Sequence, residues 1–167
     1  AHYADRPALA NALVRELGQA AGSTELIGGQ MEDIEAERTP ATLDQVEFIH
    51  NGKTAAMIAV SLVCGGLIGG AESQQLDALR RLGRALGLAF QVIDDVLDTT
   101  ATSAALGKTA GKDASARKAT MVLALGIEGA RARARALTAA ALAELANLPG
   151  DTAFLRALIE SLETRGH

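Results

Sequence analysis

Leu88-Ala89-Phe90-Gln91-Val92-Ile93-Asp94-Asp95-Val96-Leu97-Asp98 is the stretch that decides the fold. Together with the residues before it, Leu79, Leu82, Leu86, Phe90, Ile93 and Leu97 recur at steps of three and four, a helical core stripe. Ala85, Leu88, Ala89, Val92 and Val96 fill the other faces. The spacing therefore predicts a helix that is apolar almost all round, and such helices are buried. Gln91, Asp94 and Asp98 nevertheless stack on one line of it, with Asp95 about 100° away by the helical step. Asp94 and Asp98 are a like-charge pair one turn apart, which weakens a helix. At about 6 Å and an effective dielectric of ~20 they repel by roughly 3 kcal/mol. The helix is expected to end near Thr99-Thr100, which sets the acids at the negative end of its dipole. Buried charges need partners. A hard divalent cation bridging to phosphate oxygens supplies one; a solvated helix end with an accidental acid cluster is the bland alternative.

Composition frames that helix. The 167 residues suffice for one domain with a core, and Ala and Leu dominate while aromatics make up 2%. An all-α fold is expected. The net charge of −4 argues against nucleic acid as the main partner. Cys64 stands alone in an apolar run, and no basic start with a small-residue cleavage site opens the chain. Both point to a reducing, cytoplasmic setting.

Downstream of the acids, Thr99 to Arg117 is read as a polar loop carrying Gly107-Lys108 and Gly111-Lys112-Asp113, with Lys118 just after. Glycine hinges and lysines suit a flap over phosphates, and a solvated charged loop is the alternative. Helix resumes at Ala119, with Met121, Val122, Leu125 and Ile127 as core candidates and Gly126 and Gly129 as bends. Arg131, Arg133 and Arg135 form a solvated face on which Glu128 pairs with Arg131. Pro149-Gly150 ends this helix, and Asp151 caps a last one whose apolar side is Phe154, Leu155, Leu158, Ile159 and Leu162.

Upstream, Thr54 to Ala71 contains no charge over eighteen residues, the lower limit of a membrane span. Its two glycine pairs, Ser61 and Thr54 favour a fully buried core helix that does not span a membrane. Lys53 stands at its mouth, either as a cation aimed at an anionic substrate or as a snorkelling end residue. His50 has no His or Cys at ligand spacing and reads as a polar end residue where His50-Asn51-Gly52-Lys53-Thr54 interrupts the pattern. Thr42 and Gln45 form a capping box after a loop from Glu35. Before it, Ser23 opens a helix in which Gln30 and Asp33 share a face and Gly28-Gly29 admit a neighbouring backbone. An exposed polar pair explains Gln30 and Asp33 equally well. The first helix runs Asp5 to Gly18, with Asp5 as cap and Pro7 in the first turn.

In their order these features resemble the trans-isoprenyl diphosphate synthases, the polyprenyl synthetases that include farnesyl and geranylgeranyl diphosphate synthases. The family's second aspartate-rich motif is similar to Phe90-Gln91-x-x-Asp94-Asp95-x-x-Asp98, and its Gly-Gln-x-x-Asp motif to Gly29-Gln30-Met31-Glu32-Asp33. Its Lys-Thr pair resembles Lys53-Thr54, and its flap resembles Leu106-Gly107-Lys108, Gly111-Lys112-Asp113 and Lys118-Ala119-Thr120. The resemblance spans about residues 23 to 125.

It implies a bundle of long helices of the isoprenoid-synthase type around a cavity. It implies an Mg²⁺-dependent prenyltransferase that joins an allylic prenyl diphosphate to isopentenyl diphosphate. Asp94, Asp95 and Asp98 would hold metal. Lys53, Lys108 and Lys118 would hold diphosphate oxygens, with Asp113 in the same flap. Thr54, Gln91 and Gln30 would shape the pocket near the developing cation, and Asp33 would support the metal and lysine network. The family's first aspartate-rich motif, which precedes Gly-Gln-x-x-Asp, has no counterpart here. Residues 1–167 are therefore expected to be the C-terminal part of one polyprenyl synthetase domain, inactive alone, from a protein that is a homodimer at full length. A non-catalytic regulatory or scaffold subunit of a heteromeric synthase is the alternative. A terpene cyclase is disfavoured by the three aspartates.

Overall fold

The computed structural model describes residues 3–38, 41–105 and 119–165. Every regular element among them is helical: α1 (Pro7–Ala21), α2 (Leu26–Ala36), α3 (Leu43–His50), a π-turn (Asn51–Ala55), α4 (Ala56–Gly69), α5 (Ser73–Ala105), α6 (Met121–Leu145) and α7 (Ala153–Arg165). The all-α expectation holds. The 33 residues of α5 extend about 50 Å. Helix α5 is the axis of the fold, with α4 and the π-turn against one side and α6 against the other. Helix α7 closes over α6 and α5, α1 lies on α4, and α2 lies on the π-turn and α3.

Local chemistry accounts for most boundaries. Thr42 Oγ1 accepts the Gln45 N–H at 3.3 Å, and Gln45 Oε1 accepts the Thr42 N–H at 2.9 Å, so the capping box opens α3. Pro7 occupies the first position of α1, but Arg6 precedes it without a side-chain cap, so Asp5 does not serve. Helix α2 starts at Leu26, three residues after Ser23. Asp151 Oδ1 accepts the Ala153 N–H at 2.9 Å and starts α7.

Helix α5 does not stop near Thr99-Thr100 but continues to Ala105. Thr99 Oγ1 donates to the Asp95 carbonyl at 2.8 Å and Thr100 Oγ1 to the Val96 carbonyl at 2.9 Å, so both threonines bond back into the helix instead of breaking it. The acids consequently sit inside the helix, not at its dipole end.

Leu82, Leu86 and Ile93 are buried as the stripe requires, while Phe90 is 37% exposed. Ala78, Ala89, Val92 and Val96 take the inward positions instead. Small residues win there because the neighbours come close: a Cβ on Gly87 would lie 2.5 Å from Ala55 Cα.

The apolar run of α4 is not fully buried. Ala56, Ala59, Val60 and Val63 face inward, whereas Ile68 is exposed. Leu43–Gly69 is long and apolar enough to cross a membrane by length and composition. In α6 Met121 and Val122 are buried, but Leu125 and Ile127 are exposed, because Gly126 adopts φ +71° and breaks the first turn from the rest. Ile159 and Leu162 are the buried side of α7, and Phe154 faces outward.

Candidate functional site

The π-turn brings two of the sequence-predicted residues, Lys53 and Asp33, together. Its wide turn is closed by the Ala56 N–H donating to the Asn51 carbonyl. Arg84 on α5 donates to that same carbonyl at 2.9 Å and also to both carboxylate oxygens of Glu25. Gly29 of α2 lies flat against the turn, where an added Cβ would stand 2.6 Å from Lys53 N. The close approach foreseen for the Gly28-Gly29 pair is thus made on the backbone of Gly52 and Lys53. Held from both sides, Lys53 projects its amine to Asp33 Oδ2 at 2.6 Å. The Asp33 carboxylate is mostly covered and the Lys53 side chain is 37% exposed, so the cation keeps an open side. Gln30, one turn before Asp33's neighbour Ile34, is exposed, and Thr54 is half-buried. π-turns of this kind occur often at functional sites.

On α5 the acids divide. Asp94 and Asp98 are exposed, and Gln91 on the same line is half-buried. Asp95, one residue on, is only 6% exposed. Its Oδ2 accepts the Met121 N–H at 2.7 Å and lies 3.5 Å from His50 Nε2. The three aspartates are therefore not brought together: the 100° helical step turns Asp95 inward between α3 and α6 while the other two face out. Among the described residues no group of three or more His, Cys, Asp or Glu side chains is gathered as a metal site. Asp94 and Asp98 supply two hard oxygen donors, which fits Mg²⁺, an ion usually held by one or two carboxylates with water and phosphate filling the shell. Lys108, Asp113 and Lys118 lie outside the described residues.

His50 is the buried polar residue beside the acids that the sequence reading took only as a helix end. It is 3% exposed, and it follows Val46 and Ile49 on the buried face of α3. That i, i+3, i+4 pattern was the available signal. Cys64 is no nucleophile candidate, since burial first and then Glu16 push its thiol pKa up. An open hollow of about 810 Å³ lined by Gln75, Ala78, Arg81 and Asn147 lies roughly 20 Å along α5 from Asp94 and gathers none of the predicted site residues.

The Polyprenyl synthetase family model matches residues 9–154. A chloroplastic geranylgeranyl pyrophosphate synthase of Catharanthus roseus is 43% identical over 84% of this chain and 40% of its own length. A dimethylallyltranstransferase of Fischerella ambigua is 43% identical over 95% of this chain and 47% of its own. Among solved structures, a geranyltransferase of Helicobacter pylori complexed with magnesium and isoprenyl diphosphate superposes with a TM-score of 0.68 at 30% identity, covering 92% of this chain and 52% of that one. The chain spans less than half the length of the curated relatives it matches. The expected cytoplasmic placement is not upheld by these relatives: the Catharanthus roseus enzyme and an Arabidopsis thaliana relative are both named chloroplastic, whereas the name of the Fischerella ambigua relative gives no compartment. A lone cysteine in an apolar run reports a small core residue and cannot distinguish one reducing compartment from another.

Proposed function

The chain belongs to the polyprenyl synthetase family, and from that membership we propose that it carries the second aspartate clamp of a short-chain trans-isoprenyl diphosphate synthase. The observation that supports this most is the outward line of Gln91, Asp94 and Asp98 on a helix otherwise packed into the core. Asp94 and Asp98 would hold Mg²⁺. When bound, the metal supplies Lewis-acid stabilisation of a diphosphate leaving group.

The chain's own residues do the rest. Lys53 binds diphosphate oxygens as a point charge, and Asp33 keeps its amine aimed. Gln91, Thr54 and Gln30 border the pocket in which the allylic carbon loses its C–O bond to diphosphate. The double bond of isopentenyl diphosphate then attacks that carbon, and a proton leaves. By the family resemblance, Lys108, Lys118 and Asp113 would take part in binding the diphosphate. The complete synthase acts as a homodimer, and residues 1–167 are one part of its single domain.

Only one aspartate cluster is present in this sequence. The 167-residue chain alone is therefore expected to bind diphosphate without consuming isopentenyl diphosphate. Calorimetric titration with inorganic pyrophosphate, with and without Mg²⁺, tests this. Metal-dependent binding that Asp94→Asn weakens about tenfold or more supports the proposal. Binding that is indifferent to Mg²⁺ and to Asp94 overturns it and leaves the scaffold-subunit alternative.

A further inference from the structure

We propose that Asp95 and His50 are positioning residues, a buried pair that fixes the line of Asp94 and Asp98 against the end of α3 and the start of α6. This rests on the assignment of metal binding to Asp94 and Asp98. Three observations carry it. Asp95 is buried although both its acidic companions are exposed. Its carboxylate accepts the N–H of Met121, the first residue of α6. The same oxygen, Oδ2, lies 3.5 Å from His50 Nε2, and His50 is itself 3% exposed.

The first N–H groups of a helix have no partner within it and carry the positive end of its dipole. Thr120 Oγ1 takes the Leu123 N–H at 3.2 Å, and Asp95 takes that of Met121, so α6 is capped partly by its own chain and partly by α5. A carboxylate serves this better than an amide would, because its charge meets the dipole. His50 brings in the third element. It is the last residue of α3, directly before the π-turn that presents Lys53. One buried carboxylate thus joins the helix bearing the metal carboxylates, the turn bearing the lysine, and the helix that follows Lys118. A shift of any one is transmitted to the others through packed contacts. The middle aspartate of the motif serves alignment, and the outer two face outward.

Two readouts on the 167-residue chain test this: Mn²⁺ affinity by electron paramagnetic resonance with inorganic pyrophosphate present, and hydrogen exchange of the Met121 amide. Asp94→Asn should lower Mn²⁺ affinity about tenfold or more, as losing a carboxylate ligand does, with Met121 exchange unchanged. Asp95→Asn keeps an acceptor and should leave Mn²⁺ affinity within about threefold. Asp95→Ala should speed Met121 exchange about tenfold or more, because its acceptor is gone. His50→Leu should lower Mn²⁺ affinity about tenfold, as loss of an orienting neighbour does, and His50→Gln, which restores a donor, should recover most of it. If Asp95→Asn loses Mn²⁺ as Asp94→Asn does while Met121 stays protected, Asp95 is a ligand and the proposal is overturned. Unchanged Met121 exchange in Asp95→Ala overturns it as well. Should the unmodified chain bind no Mn²⁺ with pyrophosphate, the functional assignment fails, and with it the claim that the pair aligns metal ligands; Met121 exchange then reports only whether the helix contact exists.

Discussion

Two acid–base pairs hang from the same short segment, three residues apart, and they have opposite characters. Lys53 meets Asp33 at 2.6 Å on the rim, with the lysine side chain 37% exposed. His50 meets Asp95 at 3.5 Å in the interior, with side chains 4% and 8% exposed. The rim pair holds a cation that still has room for another anion. The inner pair is enclosed by α3, α5 and α6, where a charge is tolerated only with partners on each side. Exposure and surroundings, more than residue type, separate a group available to a ligand from a group committed to the fold. The same distinction divides the adjacent Asp94 and Asp95.

The comparison breaks most visibly if the inner pair is removed. Asp95→Ala should cost about 3 kcal/mol of stability, because it leaves the Met121 N–H and His50 buried without their carboxylate. Urea unfolding followed by circular dichroism measures it, and a loss under about 1 kcal/mol, the size of a surface pair, would put the two pairs in the same class. Next comes the wedge that keeps the rim pair aimed. Gly29→Ala would set a methyl 2.6 Å from Lys53 N, against backbone that cannot rotate away. A loss of about 2 kcal/mol is expected from such overpacking, together with weaker pyrophosphate binding. Unchanged stability would mean that α2 is free to slide along the turn.

Smaller still is the rim pair itself. Lys53→Met should change stability by less than about 1 kcal/mol, since exposed ion pairs contribute little. Pyrophosphate affinity should fall about tenfold, the weight of one charge-assisted contact. The smallest effect belongs to a third pair, Arg81 with Glu144, which joins α5 to α6 through bonds of 2.8 and 2.9 Å. Hydrogen bonding from Arg81 holds the Glu144 carboxyl below its ordinary value. A depressed carboxyl stabilises the fold above its unfolded pKa, about 4.3, and that contribution is lost as pH falls through the folded value. The thermal midpoints of the native chain and Glu144→Gln should differ slightly at neutral pH and converge in acid; a gap that widens in acid would reverse the sign.

Much of the fold was legible because it rests on local rules. The capping box at Thr42, the proline start of α1 and the length of α5 before the acids follow from short-range chemistry. Inward faces were read less well. Phe90 fits the apolar stripe by period, yet Ala78, Ala89 and Val96 take the buried side. Close helix approach selects small residues, which hydrophobic periodicity cannot rank. The end of α5 was misplaced because Thr99 and Thr100 look like breakers until their hydroxyls are seen bonding back. Of the site, Asp33 and Lys53 were each named from sequence, but their contact spans twenty residues of chain and only folding creates it. His50 does end α3, but its burial shows only in the Val46, Ile49, His50 spacing, and its partner Asp95 comes from α5, far along the chain.

One measurement bears most directly on the division between Asp94 and Asp95: an anomalous difference map from crystals of the chain grown with Mn²⁺ and inorganic pyrophosphate. A metal peak at about 2 Å from a carboxylate oxygen of Asp94 or Asp98, with Asp95 still turned to Met121, is the predicted result. A peak on Asp95, with its bond to the Met121 N–H broken, would contradict the account.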